Sequence, residues 1–112
     1  MHILYIEDNL EFRQQVTRRY LGGHQVTGAS DGDEGVRLFD LRHYDLVLLD
    51  YQMNRMHGPE VLRHIRSHNK AIPVVAFSMD DALNQKLIDE GATDALPKRD
   101  AEKLPELIRR IA

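Results

Sequence analysis

YDLVLLDYQMNRMHG, residues 44–58, decides how the rest of the chain is read. Four apolar residues, Leu46, Val47, Leu48 and Leu49, run without a polar break and stop on a carboxylate, Asp50. A short continuous apolar run with polar ends fits a strand buried on both faces, as in the centre of a parallel sheet. Asp50 then lies at the C-terminal tip of that strand, where open α/β sheets place their chemistry. Core packing asks for no carboxylate there, so Asp50 is the candidate reactive residue. The loop that follows is polar, carries Met53 and Met56, and ends on Gly58.

The 112 residues suffice for one domain, 1–112, with an ordinary core. A net charge of −3, with 42% hydrophobic and 29% charged residues, is a globular composition. Fifteen basic residues scattered among eighteen acidic ones leave no basic footprint, which argues against nucleic-acid binding. The chain has no cysteine, so disulfide and thiol chemistry are excluded. No apolar run reaches membrane-spanning length and Met1 leads straight into a strand, so no membrane association is expected and a cytoplasmic location is.

Outward from the central run, strand and helix signals alternate. Residues 2–6 read as a first strand ending on Glu7-Asp8, and Asn9 as the N-cap of a helix with Phe12, Val16 and Tyr20 at i,i+4 spacing, closed by Gly22-Gly23. Residues 24–28 form a short polar strand at the sheet edge. Asp31-Gly32-Asp33-Glu34 opens a second helix that turns Val36 and Phe39 inward. After Asp50, Pro59 sits in the first turn of a third helix with Val61, Leu62 and Ile65 on its inner face. Residues 73–77 make a fourth strand ending on Ser78, residues 80–90 a fourth helix stopped by Gly91, residues 94–97 a weak fifth strand leading to Lys98, and residues 102–111 a last helix. Five βα units in series predict a doubly wound α/β sandwich.

In a parallel sheet the strand ends gather at one rim, bringing together Glu7, Asp8, Asp50, Ser78 and Lys98. Carboxylates crowded there repel: a pair at about 4 Å costs about 4 kcal/mol at an effective dielectric near 20. A divalent cation removes that cost, and Mg²⁺ suits best because it takes one or two carboxylates, keeps waters and accepts phosphate oxygens. The cluster reads as a phosphoryl-handling site. Asp50 is the candidate nucleophile, Asp8 a direct metal ligand, and Glu7 a ligand directly or through water. Ser78 can hydrogen-bond a phosphoryl oxygen and Lys98 can neutralise another. Taken singly, each is an ordinary solvated strand end; all at one rim, they are not.

With IED at 6–8, DLVLLDYQM at 45–53, Met56-His57-Gly58, Phe77-Ser78, Gly91-Ala92 and Lys98, the chain resembles the receiver domains of two-component response regulators over essentially its whole length. The resemblance implies a flavodoxin-like (βα)5 three-layer sandwich with a parallel sheet of order 2-1-3-4-5. It also implies that Asp50 accepts a phosphoryl group from a histidine kinase or histidine phosphotransfer protein. Mg²⁺ would be held by Glu7, Asp8, Asp50 and the backbone carbonyl of Gln52. The protein would signal to an effector domain or downstream protein, or relay the group, and catalyse nothing beyond its own phosphorylation and dephosphorylation. The other reading is an interaction module on the same fold that works without phosphorylation. The chain stops just after its last helix, which fits a stand-alone receiver or a piece of a longer protein.

Four positions depart from the family pattern: Asn54 and Arg99 replace prolines, Met79 a small residue, and Ala95 an aromatic. A cis bond costs about 2.5–4 kcal/mol before a non-proline residue, so Lys98–Arg99 is expected trans, with a reshaped loop and Lys98 still at the rim. Met79 either covers the phosphoryl site or packs sideways and gates nothing. Ala95 has no rotamer to switch, which removes a lever for output. Haloacid-dehalogenase and toprim sites want a second Asp at Gln52; a flavin phosphate loop would be repelled by Glu7-Asp8; and no GxGxxG or GxxxxGK[ST] occurs. On the third helix, Glu60, His64 and His68 span about 12 Å, too far for one metal, so this face reads as solvated. Arg109-Arg110 reads as a last turn that favours the helix dipole.

Overall fold

The computed structural model describes residues 1–111, in which strands β1 (His2–Ile6), β2 (Gln25–Ala29), β3 (Leu46–Leu49), β4 (Val74–Ser78) and β5 (Asp94–Pro97) form one parallel sheet of order β2-β1-β3-β4-β5. Helices α1 (Leu10–Tyr20), α2 (Gly32–Leu41), α3 (Gly58–His68), α4 (Asp81–Asp89) and α5 (Leu104–Ile111) connect or follow them. This is the doubly wound sandwich the alternation predicts, with the flavodoxin-like strand order the resemblance implies and the polar β2 at an edge.

Alternation along the three central strands creates the layers. Successive strand residues point to opposite faces. Leu4 and Ile6, Val47 and Leu49, and Val74 and Ala76 therefore enter one core, completed by Val61, Leu62 and Ile65 of α3 and Leu87 of α4, with Val36 and Phe39 of α2 against it. Ile3 and Tyr5, Leu46 and Leu48, and Val75 and Phe77 enter the other, with Val16 of α1 and Leu104, Leu107 and Ile108 of α5. All four residues of β3 are fully buried.

The helix starts are set by local chemistry. Asn9 Oδ1 accepts from the Phe12 amide at 3.0 Å, and Asp31 Oδ1 from the Glu34 amide at 2.8 Å, while Glu34 reaches back to the Ser30 amide. Such a cap stabilises by about 1 kcal/mol. The expected last helix from residue 102 is corrected. Residues Lys98–Lys103 form two short 3₁₀ turns kinked at Asp100, and α5 begins only at Leu104. Pro105 has no amide proton to bond back four residues, so the chain ahead of it adopts the tighter turn, with the Leu104 amide donating to the Ala101 carbonyl. Among the described residues no peptide bond is cis, so Lys98–Arg99 is trans as expected.

Candidate functional site

Register alone brings the strand tips together. Ile6 lies beside Leu49 and the Asp50 amide donates to the Ile6 carbonyl at 3.2 Å, so Glu7 and Asp50 stand side by side one residue further on. On the other flank Ser78 pairs with Pro97, one residue before Lys98. Lys98 crosses to the acids: its Nζ is 2.6 Å from Glu7 Oε1 and 3.3 Å from Asp50 Oδ2. It also lies 5.2 Å from the centroid of the Phe12 ring, a cation–π contact. Glu7, Asp50 and Ser78 are buried, and ligand oxygens of Glu7, Asp8 and Asp50 fall within 4.8 Å of one another. The structure thus gathers Glu7, Asp8, Asp50 and Lys98 as expected, with Ser78 on the adjoining strand end. Gln52 is exposed in the loop after β3.

The charge balance is uneven. Burial, then the neighbouring Asp50 charge, push the Glu7 carboxyl up to about 7, against the opposing Lys98 ammonium and the Asn9 amide. Burial also raises Asp50, offset by Lys98 and by the Tyr51 amide that donates to Oδ1 at 2.9 Å. Desolvation works against the Lys98 ammonium, but its contact with Glu7 and the charge of Asp50 more than reverse this, so its pKa is raised. Glu7 Oε2 accepts from the Asn9 amide at 3.1 Å, whereas Oε1, though close to Lys98, has no donor in hydrogen-bond geometry. Two buried carboxyl groups and a third beside them, set against a single ammonium, are a donor set suited to a hard divalent cation.

Two side chains that the sequence reading missed hold this arrangement. Asn84 of α4 is buried; its Oδ1 accepts from the Ser78 amide at 3.0 Å and its Nδ2 donates to the Ser78 and Leu96 carbonyls at 3.3 and 3.4 Å. It clips the ends of β4 and β5 together. A polar residue three positions before the buried Leu87, on the inward stripe of α4, was the available signal. Arg13 of α1 donates from Nη1 to the Glu7 carbonyl at 2.6 Å and the Ala29 carbonyl at 2.9 Å, joining the ends of β1 and β2.

The loop after Asp50 is held by close backbone approach. A Cβ on Gly58 would meet the Asp50 carbonyl oxygen at 2.6 Å, and one on Gly32 the Met56 carbonyl oxygen at 1.8 Å, so only glycine allows these contacts. Met53 is buried and Met56 packs on the same core, as loop anchors should. Met79 is 70% exposed, and Ala95 is half-buried on β5.

A family model described as a response regulator receiver domain matches residues 3–109. Response regulator MprA of Mycobacterium leprae is 33% identical over 99% of this chain and 49% of its own length, so the chain spans about half of the curated relatives it matches. Among solved structures, the receiver domain of NtrX from Brucella abortus superposes with a TM-score of 0.88 at 28% identity, covering 97% of this chain and 96% of that one. TrrA from Thermotoga maritima, solved in complex with Mg²⁺–BeF, gives 0.90 at 24% identity over 99% and 98%; at that identity it speaks to the fold.

Proposed function

The chain belongs to the response regulator receiver family of two-component signalling, and from that premise we propose that Asp50 is its phosphoacceptor. A carboxylate oxygen of Asp50 attacks the phosphorus of a phosphohistidine on a histidine kinase or histidine phosphotransfer protein. The P–O bond forms as the P–N bond breaks, and the departing imidazole takes up a proton. Glu7, Asp8 and Asp50, with the main-chain carbonyl of Gln52, would hold Mg²⁺, which when bound offsets charge on the phosphoryl oxygens. Lys98 contributes a positive charge at the same oxygens, and the Ser78 hydroxyl donates to one of them. Hydrolysis of the acyl phosphate returns Asp50, and the chain catalyses nothing else.

The observation that carries this reading is Lys98 bridging two buried carboxylates at 2.6 and 3.3 Å, beside a third. A folded chain has no packing reason to bury such a group. A macromolecular donor is supported by Leu10 and Met79, 52% and 70% exposed, which follow the ends of β1 and β4 at this rim. Among the described residues no helix is long and apolar enough to cross a membrane, which is in keeping with work in the cytoplasm. Output runs to an effector domain or downstream protein, or the phosphoryl group is passed on.

Acetyl phosphate with Mg²⁺ should add about 80 Da, one phosphoryl group, to the intact mass. Asp50→Asn should abolish the addition while leaving the fold intact. Addition to that variant, or equal labelling in EDTA, would overturn the assignment.

A further inference from the structure

The solvated face expected on α3 gains a partner that the sequence does not place there. His64 and His68 are four residues apart on α3 and share one side of the helix, with ring centroids 4.5 Å apart. Asp40, near the end of α2, reaches them: its Oδ1 is 2.8 Å from His64 Nε2. One ligand atom from each of the three lies within 4.8 Å of the others. Glu60 takes no part.

The rings are oriented as ligands. Phe39, packed on the core, stands T-shaped to the His64 ring, with centroids 6.2 Å apart and planes at 81°. His68 Nδ1 is 2.9 Å from the His64 carbonyl oxygen and 2.9 Å from the Ser67 hydroxyl; the tautomer in which Nδ1–H donates to that carbonyl keeps the lone pair on Nε2. A ligating imidazole is ordinarily held this way, with its second nitrogen donating to a carbonyl. In a tetrahedral site with metal–ligand bonds near 2.0–2.1 Å, neighbouring ligand atoms stand about 3.3 Å apart. The separations here run from 2.8 Å to at most 4.8 Å, so side-chain torsions close the difference.

We propose that Asp40, His64 and His68 form a site for a borderline divalent transition ion of the zinc class, tying α2 to α3 and leaving a fourth position to water. Two imidazoles and one carboxylate suit Zn²⁺, whereas Mg²⁺ prefers an all-oxygen set. The site is separate from the acidic rim. Helices α2 and α3 run back from that rim, so Asp40 and His68, in their last turns, and His64, one turn earlier, lie toward the opposite end of the sheet. The proposal does not depend on phosphorylation of Asp50.

Zn²⁺ added to the full chain in excess Mg²⁺, followed by calorimetry, should show one saturable equivalent, and Co²⁺ under the same conditions should give tetrahedral visible bands. His68→Gln and Asp40→Asn should each weaken binding at least tenfold and remove the Zn²⁺-dependent rise in Tm. His68→Gln should still be labelled by acetyl phosphate at the unaltered rate, which shows that it folds. Asp8→Asn should bind Zn²⁺ as the unaltered chain does. No saturable binding, binding undiminished in His68→Gln, or binding lost in Asp8→Asn would overturn the proposal; the first two would leave Asp40–His64 a simple cross-helix pair, and the last would move the ion to the acidic rim.

Discussion

The ends of β1 and β3 and the ends of β4 and β5 share one rim and are built on opposite lines. At the first pair, Glu7 and Asp50 are buried side by side with Asp8 next to them, and a single ammonium stands against the three. At the second, a buried amide side chain satisfies Ser78 and Leu96 with hydrogen bonds and no net charge. One half holds electrostatic stress that a cation would relieve. The other has its main-chain groups already satisfied. A site of this kind separates where charge is received from the frame that positions it.

The most severe way to break that contrast is to remove Lys98. Lys98→Met leaves two buried carboxylates without their counter-charge, and loss of one partner of a buried pair costs about 3–5 kcal/mol. Urea unfolding at pH 8 in EDTA should show a loss of that order, partly recovered by millimolar Mg²⁺. Asn84→Ala attacks the neutral half. It strands the Ser78 amide and the Leu96 carbonyl, at about 1–3 kcal/mol for each buried group left unmade. That loss should be the same with or without Mg²⁺; recovery by Mg²⁺ would show that the two halves are coupled.

A smaller effect comes from pH. The Glu7 carboxyl ordinarily titrates near 4.5 and is pushed up to about 7 in the folded chain. The fold therefore holds this proton more tightly than the unfolded chain does. Its stabilising contribution is complete below 4.5 and disappears as pH rises through 7. In EDTA the Tm should fall between pH 5 and 8, and Glu7→Gln should flatten the fall. An equal slope in that variant would assign the titration elsewhere. The smallest effect is expected where Ala95 stands. Packed interiors transmit change by switching between discrete arrangements, and Ala95 has none to offer. With beryllofluoride and Mg²⁺, amide NMR shifts across residues 86–90 and 94–96 should be small beside those around Asp50. Comparable shifts would mean that another side chain supplies the lever.

How much of this was legible depends on whether the signal is local. β1 and β5 have the bounds read from the sequence, because each is a short run that changes character at its ends. The rim follows from strand-end residues once the sheet is parallel. The start of α5 is hidden in the sequence because Glu102 and Lys103 favour a helix as residues, while Pro105 forbids its main-chain bonding. Asn84 and Asp40 were invisible for another reason. Each looks like any polar residue on a helix until a partner 6, 12 or 24 positions away folds against it. Met79 left two outcomes open, and its exposure sets it on the surface, so Met79→Ala should change labelling and decay rates only if the side chain also folds over the site.

The alternation that sends Val47 to one core and Leu48 to the other has a consequence for how damage spreads. Energetic coupling between substitutions follows shared packing rather than chain order. Val47→Ala and Leu48→Ala, adjacent in sequence, should therefore combine almost additively, since the sheet backbone stands between their surroundings. Val47→Ala and Leu62→Ala, fifteen positions apart but within one core, should not. Along its central strands this chain is two mutational landscapes interleaved residue by residue.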